Sequence, residues 1–249
     1  MDLGLSGRVF VVTGGTRGLG RATAEVLVSE GAQVVVSSRN ADAVSRAAEQ
    51  LGCVGVAADN ADPATAGRLV SAGRDAYGRI DGALISVGGP PVGATMDISD
   101  EQWRTAFESV FLGAVRLART VAAACPDGGS IAFVLSSSVR QPIGGLAASN
   151  GLRPGLAMVA KTMADELGPH GIRVNGLLPG RIATDRLIEL DSQSGDPGPA
   201  RRTREQDIPL RRYGEPSEFG AVAAFLLSPA ASYITGTMVP VDGGALRPL

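Results

Sequence analysis

The chain has 249 residues, with 23 Lys+Arg against 25 Asp+Glu, a formal net charge of −2, and 44% apolar content; that is core enough for one domain and offers no cationic footprint for nucleic acid or an anionic membrane. Two isolated cysteines, Cys53 and Cys125, encode neither a disulfide framework nor a structural zinc site, so no metal is expected. No apolar run approaches the roughly 18 residues of a membrane span, and the first residues carry no basic-then-apolar leader, so a cytoplasmic protein is expected.

Along the chain, short apolar runs alternate with longer segments of helical period. Arg8–Thr13, Gln33–Ser37, Cys53–Ala58, Gly82–Ser86, Ser130–Leu135, Arg173–Leu178 and Met238–Val241 read as strands, each apolar nearly throughout. Such runs mark strands covered on both faces, as in a parallel sheet. Between them, Leu19–Glu30, Ala41–Leu51, Pro63–Tyr77, Glu101–Ala124, about Asn150–Leu167 and Pro216–Ser228 have the spacing and length of helices. Gly151, Pro154 and Gly155 are poor in a helix interior and suggest that the fifth of these starts near Pro154 as its first turn. The alternation predicts an α/β fold: one doubly wound, seven-stranded parallel sheet of Rossmann type in a single domain over residues 1–249. The polar, Gly/Pro-punctuated stretch Leu187–Arg204 reads as irregular. It follows the sixth strand on the ligand side of the sheet, so a mobile substrate lid is expected at about residues 185–205.

Val9–Val12 runs straight into Thr13-Gly14-Gly15-Thr16-Arg17-Gly18-Leu19-Gly20 and then into a helix. This is the context of a dinucleotide site. Gly14 permits the tight turn, Gly18 lets backbone approach a pyrophosphate, and Gly20 allows close packing of helix on strand, with Thr16, Arg17 and Leu19 completing the loop around the helix N-terminus. The second strand ends Ser37-Ser38-Arg39, without the acidic residue that usually hydrogen-bonds the ribose of NAD. Arg17 and Arg39, beside Ser38, are placed to clamp a 2′-phosphate. NADP(H) is therefore expected ahead of NAD(H).

With its G-x-x-x-G-x-G spacing the chain resembles the short-chain dehydrogenase/reductase family over essentially its whole length. Ala58-Asp59, followed by Asn60, looks like that family's adenine-binding segment; Ile80-Asp81 leads into the fourth strand, and Gly88 follows it. Pro179-Gly180-Arg181-Ile182-Ala183-Thr184 looks like its nicotinamide-side segment, with Pro179, Gly180, Ile182 and Thr184 as cofactor contacts. Ile234-Thr235-Gly236 and Val241-Asp242-Gly243-Gly244 look like its C-terminal signature. The resemblance implies a cofactor-dependent oxidoreductase that acts on a small-molecule substrate and assembles as a homodimer or homotetramer through the Glu101–Ala124 and Asn150–Leu167 helices.

The catalytic positions depart from the family's pattern. A gapless count puts its serine at Ser136, but its tyrosine at Ser149, the lysine four residues on at Arg153, and its helix asparagine at Val110. S-N-x-x-R thus stands in place of Y-x-x-x-K. Ile85-Ser86-Val87-Gly88 also replaces the family's usual Asn-Asn-Ala-Gly. A serine hydroxyl is a far weaker acid than the roughly 10 of tyrosine, and arginine stays protonated to above pH 12 or so. Ser136 is then expected to orient the substrate, with Ser149 and Arg153 stabilising an oxyanion. The alternative is a catalytically inactive nucleotide-binding sensor or oligomer scaffold.

Other groups carry less. Ser136-Ser137-Ser138 with Asp165 and His170 suggests a hydrolase, but His170 precedes the sixth strand, on the far edge of the sheet from the ligand crevice, and no G-x-S-x-G elbow is present. Asp185, Glu189 and Asp191 read as a solvated lid face. Trp103, Phe107 and Phe111, at i, i+4, i+8, read as core or subunit interface.

Overall fold

In the computed structural model, described over residues 2–125, 128–185, 187 and 197–247, β1 (Val9–Thr13) leads into α1 (Gly18–Ser29), followed by β2 (Gln33–Ser38), α2 (Ala41–Leu51), β3 (Val54–Ala57), α3 (Thr65–Tyr77) and β4 (Gly82–Ile85). Next come α4 (Asp100–Ala106), one wide π turn (Phe107–Leu112), α5 (Gly113–Ala124), β5 (Gly129–Val134), α6 (Ala147–Leu167) and β6 (Ile172–Pro179). The chain closes with α7 (Pro197–Gln206), α8 (Pro216–Leu227) and β7 (Met238–Val241). The seven strands form one all-parallel sheet in the order β3-β2-β1-β4-β5-β6-β7.

Side chains alternate across this sheet as the two-residue period of a strand requires. Val9, Val11, Ile85 and Phe133 face the core under α3, α5 and α6, where Leu69, Leu117, Val121 and Leu156 are buried. Phe10, Val12, Leu84 and Val134 face the opposite core under α1 and α8, with Leu27, Phe219 and Leu226. The apolar runs are buried throughout in β1 and β4. At the edges, β3 and β7 are only partly covered, because each has a single neighbouring strand.

Three sequence expectations are corrected. First, α6 begins at Ala147 and carries Pro154 inside it. Packing outweighs the low helix propensity: the glycines let aromatic rings lie against the helix backbone, and a Cβ on Gly151 or Gly155 would come within 3.1 Å of Trp103 or 3.2 Å of Phe111. Second, the helix expected over Glu101–Ala124 is interrupted by the π turn. Third, part of the stretch expected to be irregular is helical: α7 opens on Pro197, a residue suited to a first turn, and Arg201 pairs with Glu205 one turn on, at 2.8 Å. The rest of the expected lid, with Glu189 and Asp191, lies outside the described residues.

Arg212 and Glu218 form a two-pronged pair at 2.7 Å and 2.7 Å, and Glu218 also accepts from the Glu215 amide at the start of α8. The Arg212 bond, then that amide, hold the carboxyl at about 2, well below its ordinary 4.5. Because the folded-state value is depressed, what this pair adds to stability is complete above pH 4.5 and is lost as the pH falls toward 2.

Burial first, and then the charge of Asp81, pushes the Cys125 thiol up to about 12, and burial raises Cys53 as well. At pH 8 only about one Cys125 in ten thousand is thiolate. A chromogenic disulfide reagent should accordingly titrate no fast thiol in the folded protein and two after denaturation. Among the described residues no helix is long and apolar enough to cross a membrane.

Candidate active site

Parallel strands end together, so Thr13, Ser38, Ala57, Ile85, Val134 and Pro179 lie along one edge of the sheet. The strand order reverses direction at β1, whose neighbours are β2 and β4, and the crevice at such a switch point is where this architecture binds ligands. Thr13 fixes the crevice floor: its Oγ1 donates to the Ser86 carbonyl and accepts from the Ser86 amide, each at 3.0 Å, clamping the ends of β1 and β4.

The glycine loop grows from this clamp. Gly14 has φ +60°, and a Cβ there would lie 2.7 Å from the Ser86 oxygen. A Cβ on Gly20 would lie 2.4 Å from the Gly14 oxygen, so the start of α1 rests directly on the loop backbone. Thr16, Arg17, Gly18 and Leu19 wrap that helix start, with Arg17 extended at the N-cap and no acidic residue in the first turn, which leaves the positive end of the helix dipole facing outward. The segment after β6 reaches across the loop: the Thr184 methyl sits 3.4 Å from where a Cβ on Gly18 would be. Ile182 in that segment pairs with Gly214, whose amide donates to the Arg181 carbonyl at 3.0 Å. Arg181 and Arg201 flank the buried Tyr213 ring, their guanidinium carbons 5.9 and 4.8 Å from its centroid. Pro179 and Gly180 begin the same segment, the Gly180 amide bonding the Val241 carbonyl at 3.0 Å.

Ser38 ends β2, and Arg39 and Arg17 are both exposed. Asp59 is exposed in the turn after β3, where its Oδ1 accepts from the Ala61 amide at 3.0 Å. The neighbouring Asn60 carbonyl lies 2.1 Å from where a Cβ on Gly113 would be, so this turn is seated directly on the start of α5. Gly88 follows β4 with open space where its side chain would project.

At the far side of the crevice α6 presents Ser149 and Arg153 one turn apart, 6% and 5% exposed. The hydroxyl facing Ser149 belongs to Ser138, at 3.2 Å between Oγ atoms. Ser136 instead shapes the backbone. Its Oγ accepts from the Ser138 amide at 3.1 Å, opening the short 3₁₀ turn that carries Ser138 toward α6. Ser138 lies eleven residues before Ser149, not thirteen, and only the triple-serine run hints at it in the sequence. Arg153 donates through Nη1 to the Val134 carbonyl and through Nη2 to the Val87 carbonyl at 3.4 Å, joining the end of β5 to the segment after β4. Val110 is buried in the π turn with Ala106 and Leu152, and Val87, Trp103 and Phe111 pack on this cluster.

Asn150, the second residue of the S-N-x-x-R segment and given no role in the sequence reading, builds the wall. Its side chain accepts from the Ile143 amide at 3.0 Å and donates to the Ile143 carbonyl at 2.9 Å. Gly93 then joins the opposite wall to the same loop through the Gly145 carbonyl at 2.8 Å. Val92 and Met96, on either side of Gly93 in sequence, are exposed apolar residues. Neither the histidine nor another tyrosine joins this group: His170 is exposed below α6, Tyr77 ends α3, and Tyr233 is fully exposed.

The chain is similar in sequence and fold to several proteins of the same architecture. The family model described as Enoyl-(Acyl carrier protein) reductase matches residues 14–245. Levodione reductase of Leifsonia aquatica is 35% identical over 254 residues, spanning 95% of this chain and 93% of that protein. Dehydrogenase/reductase SDR family member 4 of Homo sapiens is 33% identical over 251 residues, spanning 96% and 88%. L-sorbose reductase from Gluconobacter frateurii, solved with NADPH and L-sorbose, superposes with a TM-score of 0.94 at 33% identity over 100% of both chains. Actinorhodin polyketide ketoreductase, solved with NADPH, gives 0.91 at 27% identity over 96% and 97%.

Proposed function

Since the chain belongs to the short-chain dehydrogenase/reductase family, we propose that it is an NADP(H)-dependent oxidoreductase that acts on a small carbonyl or alcohol substrate through a serine–serine–arginine site. The observation that carries this reading is the intact cradle at the β1 switch point, with glycine backbones in contact and arginines where an acidic residue would repel a phosphate. The residues fit the cofactor: Gly14–Gly20 would hold the pyrophosphate, Arg17, Ser38 and Arg39 the 2′-phosphate, Asp59 and Asn60 the adenine side, and Gly88 with Pro179–Thr184 the nicotinamide side. When bound, the reduced dinucleotide supplies a hydride.

The chain's own groups then orient and polarise. Ser138 fixes the Ser149 hydroxyl, which hydrogen-bonds the substrate oxygen; Arg153 supplies a permanent positive charge one turn behind it. Ser136 acts through the turn that positions Ser138. The described part of the polypeptide after β6, through Thr184, reaches the glycine loop and would shield that end of the crevice from water.

Titration of the purified protein with NADPH and NADH, followed by nucleotide fluorescence, tests the reading. Tight, NADPH-selective binding is expected, and Arg17→Ala with Arg39→Ala should cut the NADPH preference about tenfold or more, a modest value because both arginines are exposed and screened. Failure to bind either nucleotide would remove the reading. Val110, apolar where the family's asparagine would stand, favours a second one, a nucleotide-binding sensor or scaffold without turnover. Nucleotide that binds but is never oxidised by any of a panel of carbonyl compounds would decide for it.

A homodimer or homotetramer is part of the proposal. Phe107 stacks on Phe111 at 5.2 Å between ring centroids, and with Met158, 68% exposed, it leaves apolar surface on the α4–α6 side. Met158→Glu should shift the light-scattering mass toward the monomer, with the far-ultraviolet circular dichroism spectrum unchanged.

A further inference from the structure

Resting on the oxidoreductase reading above, we infer that Arg116 and Glu108 are positioning residues, which carry occupancy of the adenosine end of the crevice through the π turn to Ser149 and Arg153. The path starts at the turn after β3, where Asp59 and Asn60 stand on the proposed adenine side. Arg116, on α5, donates through Nη1 to the Ala61 carbonyl of that turn at 3.2 Å and through Nη2 to the Glu108 carboxylate at 3.2 Å. Glu108 lies in the π turn, and its carbonyl accepts from the Gly113 amide that closes it. The Asn60 carbonyl presses on that same glycine: a Cβ on Gly113 would lie 2.1 Å from the Asn60 oxygen and 3.1 Å from the Glu108 oxygen. Main chain meets main chain here, and a close-packed contact of this kind passes a displacement on instead of absorbing it.

The π turn also bears on α6, on both sides of Arg153. Val110 packs with Leu152, and Trp103 and Phe111 close over that pair. The Trp103 ring lies 3.1 Å from where a Cβ on Gly151 would be, and the Phe111 ring 3.2 Å from one on Gly155. Glycine is a poor residue inside a helix, so two of them flanking Arg153 give up helix propensity for contact between ring and backbone. Val87 packs on the same cluster, and its carbonyl accepts from Arg153 Nη2 at 3.4 Å. The Arg116–Glu108 pair is 25% and 46% exposed, and such a pair adds little to stability. What it does is geometric. A rigid guanidinium that holds the turn after β3 with one nitrogen and the π turn with another fixes the spacing between them. A nucleotide that immobilises Asp59 and Asn60 therefore narrows the positions open to Ser149 and Arg153, where an error of about 1 Å is worth a hundredfold in rate.

Adenosine 2′,5′-bisphosphate is the probe, since it carries the adenine and the 2′-phosphate and has no nicotinamide. In the full-length protein saturated with it, amide hydrogen exchange over residues 149–153 should slow by about threefold or more. The emission of Trp103, the one tryptophan of the chain, should shift in parallel. Arg116→Met and Glu108→Ala should each bind the bisphosphate within about tenfold of the unaltered protein by calorimetry and lose both responses. Glu108→Gln, which keeps an acceptor for the guanidinium, should retain them. If Arg116→Met does not fold, Glu108→Ala against Glu108→Gln makes the same comparison. Four results would overturn the inference and leave the oxidoreductase reading intact: exchange or emission that does not respond in the unaltered protein, responses that persist in Arg116→Met and Glu108→Ala, bisphosphate affinity reduced more than about tenfold by either variant, or a protein that binds NADPH and not the bisphosphate. Binding of neither compound would remove both.

Discussion

Asp81→Asn should lower the unfolding free energy by about 3 kcal/mol and leave nucleotide affinity unchanged. Asp81 stands just before β4, at the sheet edge opposite the crevice, and its carboxylate is 3% exposed. One oxygen accepts from the Val9 amide at 2.8 Å and from Arg79 Nε at 2.9 Å; the other accepts from Arg79 Nη2 at 2.6 Å and from Arg8 Nη1 at 3.3 Å. Its main chain meanwhile joins β1 to β5, the amide donating to Val9 and the carbonyl accepting from Ser130. An asparagine keeps one acceptor and turns two donors toward donors. The Val9 amide then stands to lose its only acceptor at a buried position, worth about 1–3 kcal/mol, and the charge-assisted bonds go with it. Because the two arginines are 38% and 58% exposed, water compensates much of the ionic part, so the sum stays at about 3 kcal/mol. For a chain of this length 3 kcal/mol corresponds to a fall in Tm of about 9 °C. A thermal melt that moves by less than about 2 °C would mean that water replaces the carboxylate at Val9.

Gly20→Ala should raise the dissociation constant for NADPH by about a hundredfold. The methyl group would start 2.4 Å from the Gly14 oxygen, 2.8 Å from its carbon and 3.0 Å from the Thr13 oxygen, and all three are backbone. Gly14 has no room to retreat, since its own outward direction ends on the Ser86 carbonyl. The start of α1 must therefore lift from the loop, at a stability cost of about 1–3 kcal/mol for overpacking. The displacement falls on the loop amides proposed to hold the pyrophosphate, where a shift of about 1 Å is enough for a hundredfold effect. Gly67→Ala in α3 is the control, since a Cβ there meets nothing within 4 Å. It should leave nucleotide affinity as it is and stabilise the helix by about 0.5–1 kcal/mol. Equal affinities for the Gly20 and Gly67 variants would refute the close packing of α1 on the loop as the reason for a glycine at position 20.

The sheet was legible because interior strands need apolar residues on both faces, and few other segments of four to eight residues read that way. The glycine loop was legible for a related reason: only glycine tolerates backbone against backbone, so contact at Gly14 and Gly20 leaves its mark directly in composition. Other features left no such mark. A π turn at Phe107–Leu112 adds one residue to a turn without changing residue type. Pro154 and its neighbouring glycines look like a helix start, although contacts with Trp103 and Phe111, distant in sequence, keep the helix intact. Ser138 is hidden because counting from Ser149 presumes a fixed length between β5 and α6, and the 3₁₀ turn opened by Ser136 delivers the hydroxyl two residues later.

The paired hydroxyls of Ser138 and Ser149 have one further consequence. Either oxygen can be the donor to the other at 3.2 Å, and exchanging the roles requires only rotation about two C–O bonds, with no change in charge. With Ser138 donating, the Ser149 proton is released toward a ligand that has only lone pairs to offer. With Ser149 donating, its lone pair meets a ligand that brings its own proton. At the proposed site the pair would therefore work as a two-position relay whose setting is chosen by the ligand. Ketones on the one hand and alcohols on the other should compete for the same place at any pH between 5 and 9, with relative affinities that do not vary with pH.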